Sequence, residues 1–183
     1  YYFQLCQNIR RYKGVSKPAD KTETNYKKTI DITGGTDQWS DITAYNHYTN
    51  STYARRSVGY GKVTYNGDAT RNDVVTAKVA YDDSNFYFYV ETAADLTDYT
   101  DPAWMRLFLD TDLKNSGANW EGFEYMLNRT NPTETTCTLE KAVAGGDDAN
   151  GNWAWKSVGE VSYTVSGNVL QVAIPRSLLG MES

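Results

Sequence analysis

The sequence predicts an all-β protein, an antiparallel β-sandwich of the jelly-roll or immunoglobulin-like kind. Three observations lead to this fold class. Short segments that alternate apolar and polar residues recur along most of the chain, which is the pattern of half-buried strands. Clusters of Gly, Asn, Asp and Ser separate these segments at intervals of about eight to twelve residues. Helical segments do not alternate with the strands, which argues against a parallel βαβ sheet.

The composition is that of a folded domain rich in aromatic residues. Hydrophobic residues make up 40 % of the 183 residues, which is enough for a core, and 15 residues are Tyr and 5 are Trp. The formal net charge of −5 argues against a nucleic-acid partner, because phosphate binding needs a basic face. Apolar runs stay well below the ~20 residues that a membrane-spanning helix needs. We therefore expect neither nucleic-acid binding nor a membrane span.

Residues 1–14 differ from the rest of the chain and predict a short amphipathic helix that ends at Gly14. Its apolar stripe, at positions i, i+3, i+4 and i+7, consists of Tyr2, Leu5, Cys6 and Ile9. A lone helix of this length is marginal in water, so the stripe needs a packing partner. Residues 15–28 are polar and typical of a linker. We interpret 1–14 as the end of a preceding domain, 15–28 as a linker and 29–183 as the sandwich.

The first half of the sandwich contains the clearest hairpin of the sequence. Alternating residues 75–81 are followed by a DDSN turn and by the aromatic strand 86–91. Upstream, Ile30 and Ile32 precede a GGTD turn, and residues 39–45 predict a strand on which Trp39 is a core residue. A glycine-interrupted strand, 57–65, is predicted between the strand at 39–45 and the hairpin that begins at residue 75.

A second hairpin, residues 104–128, carries the polar loop on which the functional predictions are centred. Residues 104–110 alternate, with Met105, Leu107 and Leu109 on one face and Trp104 on the other, and residues 123–128 form the second strand. The loop between them, DTDLKNSGANWEG, combines carboxylates, amides and a tryptophan. Such a combination indicates a ligand site.

The C-terminal part continues the β pattern and ends in a helical turn. Strands are predicted at 136–143, 153–156, 161–165 and 169–174, with a two-residue Gly-Asn turn before the last. Pro175 suits the first turn of a short helical segment, which Gly180 ends.

Four motifs in this order resemble the family 9-like carbohydrate-binding modules, a group of β-sandwiches close to the DOMON-like fold. The motifs are KVAYDDSNFYFYVET, WMRLFLDTD, WEGFEYMLNR and GNVLQVAIPRSLLG, and the resemblance covers residues 31–180. It implies sugar binding by aromatic rings, often with structural calcium, and no catalysis. It also implies that residues 1–14 end the catalytic domain of a bacterial polysaccharide-degrading protein.

Carbohydrate binding needs a flat ring for the apolar face of the sugar and polar groups for its hydroxyls. Trp120 lies in the polar loop between Asn119 and Glu121, where a core role is least natural. Trp104 starts a strand near a sheet end, and Trp153 and Trp155 share one strand face beside a Gly/Asp loop. The predicted carbohydrate-binding residues are Trp120, Trp104, Trp153, Trp155, Asn119 and Glu121.

The same hairpin predicts a calcium site built from Asp110, Asp112 and Glu124. Carboxylates are preferred calcium ligands, but the loop is no EF-hand, because Lys114 stands at its fifth position and Asn115 replaces the glycine at its sixth. The alternative is a solvated acidic loop.

The other residues that could form a metal, haem or catalytic site are more simply explained by structural roles. Cys6 and Cys137 are expected to be buried free thiols. His47 is the only histidine in the sequence, which argues against most zinc sites. A haem site formed by His47 with Met105 or Met126 is an alternative, but both methionines are more simply explained as core residues. Glycosidase carboxylate pairs occur by chance among 23 acidic residues, so intrinsic catalysis is the third-ranked function.

The predicted function is non-catalytic binding of a polysaccharide or oligosaccharide, which targets an attached glycan-degrading domain to its substrate. The alternative is a structural sandwich that packs on the catalytic domain and binds no ligand. The expected location is secreted, periplasmic or at a bacterial cell surface.

Overall fold

In the computed structural model, the described residues are 26–46, 55–56, 64–65, 71–111, 122–143 and 154–181. Two short 3-10 helices, Thr36–Trp39 and Arg176–Leu179, accompany the strands. The strands are β1 (Tyr45–Asn46), β2 (Arg55–Arg56), β3 (Thr64–Tyr65), β4 (Val74–Tyr81), β5 (Asn85–Thr92), β6 (Leu107–Leu109), β7 (Tyr125–Leu127), β8 (Thr136–Ala142), β9 (Trp155–Ser166) and β10 (Val169–Pro175). All pairs of these strands are antiparallel, which confirms the all-β fold class.

Eight of the strands form one curled sheet in the order β1-β4-β5-β10-β9-β8-β7-β6, and β2 and β3 pair separately. The last strand, β10, lies between β5 and β9 and pairs with both. This central position connects the strands of the first half to those of the second. The hydrogen bonding is therefore that of a continuous half-barrel rather than of two separate packed sheets.

The two hairpins that the turn residues predict are confirmed. Strand β4 pairs with β5 across the turn 82–84, and Asp82 Oδ1 accepts the backbone N–H groups of Ser84 (2.7 Å) and Asn85 (2.8 Å). Strand β9 pairs with β10 across Gly167 and Asn168, and Gly167 has a φ of +57°. Gly180, with φ +68°, ends the C-terminal 3-10 helix as predicted.

Alternate residues of β10 point to opposite faces of the sheet, and each face has its own hydrophobic cluster. The cluster on the first face includes Leu170, Val172 and Ile174 of β10 together with Trp104, Tyr125, Leu127, Cys137, Leu139, Val161 and Tyr163. The strand pattern predicts six residues that are buried in the core, Val79, Phe88, Leu107, Leu109, Val172 and Ile174. Of these, Val172 and Ile174 are buried, with 3 % and 0 % of their surface exposed. Val79, Phe88, Leu107 and Leu109 are only partly buried.

The second face is covered by residues 26–44, which pack on Tyr87, Tyr89 and Val169. Trp39 is 1 % exposed and donates its indole N–H to Gln171 Oε1 (2.7 Å), so its predicted core role is confirmed. The predicted strand at 39–45 is wrong, however. Trp39 ends a 3-10 helix, and only residues 45–46 of this region form a strand.

The strand boundaries at Trp104 also differ from the prediction. The alternation predicted a strand from residue 104, but β6 begins at Leu107, because Ala103 (φ +56°) and Met105 (φ +38°) have left-handed backbone conformations. The chain direction therefore changes around Trp104. As a result, Trp104 packs in the same cluster as Leu107 and Leu109 rather than on the opposite face.

The N-terminal predictions concern mostly residues outside the described ranges. The helix predicted for residues 1–14, with Cys6, and most of the linker predicted for 15–28 lie outside those ranges. Residues 26–28, predicted as the end of the linker, contact the sheet: Lys28 donates its N–H to Tyr81 O (2.7 Å), and Tyr81 donates to Tyr26 O (3.1 Å). Cys137 is a buried free thiol. Within the described ranges, no helix is long and apolar enough to cross a membrane.

Candidate functional site

The loop between β5 and β6 is held to one end of the sheet by hydrogen bonds. Leu96 donates its N–H to Gly167 O (3.1 Å) in the β9–β10 turn. Thr97 donates its N–H to Asn72 Oδ1 (2.9 Å), and its carbonyl oxygen accepts the indole N–H of Trp104 (2.8 Å). These bonds fix the backbone immediately before Asp98 and Tyr99.

A cleft of about 450 Å³ lies between this loop and the segment that leads into β8. Its volume is in the range of ligand-binding sites, about 300 to 1,000 Å³. Loop residues form one side, and the residues before β8 and the end of β9 form the other. The polar and aromatic residues that line the cleft are Thr97, Asp98, Tyr99, Trp104, Glu134, Thr135, Tyr163 and Thr164.

Trp104 forms a buried wall of this cleft. Its side chain is 1 % exposed, and its ring lies 5.6 Å from the ring of Tyr163 at an angle of 55°. A sugar could not stack on a ring with so little exposed surface. The predicted role of Trp104 as an exposed platform therefore does not match its position, although the residue does adjoin the cleft.

Tyr99 is the partly exposed aromatic ring of the cleft, and Asp98 and Glu134 are its two exposed carboxylates. Asp98 Oδ1 accepts hydrogen bonds from the hydroxyl (2.6 Å) and the backbone N–H (2.9 Å) of Thr100. These bonds lower the pKa of Asp98, so its carboxylate stays ionised. The cleft thus combines a ring with hydroxyl acceptors.

Tyr163 lies at the other side of the cleft, and its side chain is buried. Its hydroxyl donates a hydrogen bond to Thr133 O. Burial is the main cause that raises the pKa of Tyr163 to about 12. Four neighbouring groups raise this pKa further: Cys137, Tyr99, Asp98 and Glu134. The phenol therefore stays protonated and acts as a donor at physiological pH.

A second cavity of about 330 Å³ opens beside the predicted calcium site. Its walls are mostly apolar: Phe86, Phe88, Phe108, Leu109, Leu179 and Met181. Asp110 and Thr111 also line it. This cavity lies between β5 and β6, where the partly buried side chains of the half-barrel interior meet solvent.

Of the three predicted calcium ligands, Asp110 and Glu124 lie on neighbouring strand ends, and Asp112 lies outside the described ranges. Glu124 Oε2 accepts the N–H of Thr111 (2.6 Å), whereas Glu124 Oε1 is buried and has no hydrogen-bond partner among the described residues. A buried carboxylate oxygen without a donor fits a nearby cation. In the described part of the chain no group of three such ligands occurs, and calcium stays a prediction.

Trp155 is the other predicted platform that the structure describes. It is half-buried at the start of β9, opposite Ala142 of β8, whose N–H donates to Glu124 O (2.8 Å). Trp155 therefore lies near the predicted calcium site and far along β9 from Tyr163. The structure does not bring it together with Trp104.

The other predicted site residues fall outside the described ranges. They are Trp120, Asn119, Glu121, Trp153 and His47. Their predicted roles stay predictions.

Asp98, Tyr99 and Glu134 were not predicted as site residues from the sequence. Asp98 and Tyr99 lie in a mostly polar loop that also contains a proline, and Glu134 lies in a turn before β8. Their one visible signal is an aromatic residue inside an otherwise polar loop. The contact between the two loops is non-local and cannot be seen in either segment alone.

Comparisons of this chain with protein-family models, with curated proteins and with solved structures found no match. The resemblance to family 9-like carbohydrate-binding modules therefore rests on the four sequence motifs.

Proposed function

We propose that this domain binds carbohydrate without cleaving it, and that it holds an attached glycan-degrading domain on its substrate. The observation that carries the proposal is the cleft at the β5–β6 loop, which places the Tyr99 ring beside Asp98 and Glu134. A pyranose presents apolar C–H faces and a rim of hydroxyls. This combination of ring and carboxylates fits both parts of the sugar.

The ionised carboxylate of Asp98 suits a hydrogen-bond acceptor for sugar hydroxyls and does not suit a general acid. A glycosidase needs one carboxyl that keeps its proton near neutral pH to protonate the leaving group. Asp98 has the opposite property, because the hydrogen bonds from Thr100 lower its pKa. An ionised carboxylate accepts hydrogen bonds from sugar hydroxyls, which is the role we assign to it.

The benefit to the whole protein would come from effective concentration. A binding module joined to a catalytic domain keeps that domain close to its polymer without new catalytic contacts. This role suits a secreted, periplasmic or cell-surface bacterial protein that acts on polysaccharide.

A glycan array probed with the chain, with and without calcium, tests the proposal. We expect binding to at least one glycan class, and Tyr99→Ala should weaken it about five- to thirtyfold, which corresponds to ~1 to 2 kcal/mol of lost ring contact. Tyr99→Phe keeps the ring and should retain most of the affinity. Tyr45→Ala removes a tyrosine that is 39 % exposed on β1 and serves as the matched control.

If no glycan binds, the proposal fails, and the structural role in packing on a catalytic domain becomes the better explanation. If glycans bind but Tyr99→Ala is as effective as the wild type, the binding surface is not this cleft.

A further inference from the structure

This inference rests on the proposed function and concerns which sugars the cleft accepts. Among the described residues that line the cleft, Asp98 and Glu134 are charged and none is Lys, Arg or His. These described side chains therefore give the cleft a formal charge of −2, counted as one for each carboxylate.

Two arginines lie on segments close to the cleft, and both are neutralised by carboxylates elsewhere. Arg71 contacts Asp101 through its Nε (2.5 Å) and donates to Pro102 O (2.7 Å). Arg129 forms two hydrogen bonds of 2.8 Å with the buried carboxylate of Glu140. Neither is therefore available to balance the charge of the cleft.

The position of Tyr163 also indicates that the two carboxylates of the cleft act together. Tyr163 lines the same cleft as Asp98 and Glu134, so the two carboxylates face one cleft although they come from different loops. Low-dielectric walls strengthen the field of these carboxylates compared with open solvent. The buried Trp104 and Tyr163 rings provide those walls.

We infer that the cleft selects sugars by charge: it prefers amino sugars with a protonated amine over neutral sugars, and it rejects uronic acids. The amine would lie between Asp98 and Glu134 while the pyranose ring stacks on Tyr99. A uronic acid would place a third negative charge in the same space. Repulsion between like charges and the lack of a cation would then exclude it.

Three oligosaccharides of equal length and linkage test this inference by calorimetry with the whole chain: glucosamine, N-acetylglucosamine and glucuronic acid oligomers. Each surface carboxylate contributes about two- to fivefold in affinity. The glucosamine oligomer should therefore bind about four- to twenty-fivefold more tightly than the acetylated one, and the glucuronic acid oligomer should bind about four- to twenty-fivefold more weakly than the acetylated one. High salt should reduce the difference, because it screens exposed charges.

Two variants and one matched control locate the effect. Asp98→Asn and Glu134→Gln should each reduce the preference for glucosamine about two- to fivefold. Asp37→Asn removes the same charge from the 3-10 helix on the opposite face of the sheet and should leave the preference unchanged. An equal reduction in Asp37→Asn would mean that overall charge attracts the amine, and the inference would be overturned.

The pH dependence gives an independent check. An amine next to electron-withdrawing groups loses its proton near the α-amino range, about pH 7.7 to 8.0. The preference for glucosamine should therefore be present at about pH 6 and disappear at about pH 9, whereas binding of the acetylated oligomer should not change over this range.

The outcomes separate the two proposals. Equal binding of the glucosamine and acetylated oligomers, or tight binding of the uronic acid, overturns the charge selection but leaves carbohydrate binding in place. No binding of any oligomer here or on the glycan array overturns both.

Discussion

The indole of Trp104 lies against the phenol ring of Tyr163, with centroids 5.6 Å apart, beneath the cleft at the β5–β6 loop. The two side chains are 1 % and 3 % exposed. The indole N–H bonds to Thr97 O, and the phenol O–H bonds to Thr133 O. One ring pair thus fixes both loops that border the cleft, so its rigidity sets the separation of Tyr99 from Glu134.

Trp104→Ala should reduce the free energy of unfolding by about 3 to 5 kcal/mol, because it removes a buried ring and leaves a cavity. Trp155→Ala, at a half-buried position, should cost about 1 to 2 kcal/mol. Urea unfolding monitored by circular dichroism measures both. A Trp104→Ala protein that is as stable as the wild type but no longer binds glycan would show that this ring is a binding platform after all.

Asp82 should contribute stability that depends on pH. Burial opposes ionisation of Asp82, but hydrogen bonds from Tyr87, Ser84, Thr29 and Asn85 outweigh it and lower its pKa from 3.8 to about 2. A folded-state pKa below the unfolded value means that the contribution is complete above about pH 4 and is lost as the pH falls toward 2.

Asp82→Asn should therefore cost about 1 to 2 kcal/mol at neutral pH, after allowance for solvent screening, and almost nothing near pH 2. Unfolding curves of both proteins across this range provide the measurement. A deficit of the same size at both ends would show that the carboxylate acts only through the shape of the turn.

The hairpins could be predicted because their determinants are local. Asp82 bonds to the backbone two and three residues later, and Gly167 supplies the left-handed conformation of its turn. Such turn chemistry is visible in a short stretch of sequence. The same holds for Gly180 at the end of the C-terminal 3-10 helix.

The wrong prediction of a strand at residues 39–45 has a non-local cause. Residues 39–45 were predicted as a strand, but the Trp39 indole bonds to Gln171, 132 residues later, and the Gln38 side chain bonds to Asp31 O (2.7 Å) and Gly35 O (2.9 Å). These contacts favour a helical turn. Tertiary contacts of this kind override a local pattern.

The candidate site could not be predicted for the same reason. Tyr99 and Glu134 belong to loops on different hairpins, and only the pairing of β10 with both β5 and β9 brings these loops to one end of the sheet. No spacing in the sequence encodes that contact. What the sequence does show is the aromatic and acidic composition from which such a site can form.

Removal of calcium should lower the melting temperature if the predicted site at Asp110, Asp112 and Glu124 is real. A ligand that binds only the folded state stabilises it by ~2.7 kcal/mol at a hundredfold excess over its Kd, so chelation should lower Tm by about 5 to 10 °C. The buried Glu124 Oε1, which has no hydrogen-bond partner among the described residues, is the structural reason to expect this.

Asp112→Ala and Glu124→Gln should abolish the sensitivity to chelator, and Asp37→Ala, on the opposite face, should retain it. A wild-type Tm that does not respond to chelator would identify the hairpin loop as an ordinary solvated acidic loop.

The last prediction contrasts two tryptophans with opposite roles. Trp39 is 1 % exposed, and its indole N–H satisfies the buried Gln171 side chain. Trp39→Ala should therefore lose about 3 to 5 kcal/mol of stability, with more lost because Gln171 Oε1 is left without its donor. Glycan binding should disappear only where the protein unfolds.

Trp120→Ala should behave in the reverse way, because the sequence places Trp120 in a polar loop between Asn119 and Glu121. A stacking ring is worth ~1 to 3 kcal/mol, so glycan affinity should fall about ten- to a hundredfold while the unfolding free energy changes little. Parallel titrations of Trp120→Ala and Tyr99→Ala identify the platform. Unchanged binding by Trp120→Ala together with weakened binding by Tyr99→Ala would place the sugar in the cleft between Asp98 and Glu134 and remove the hairpin loop from the site.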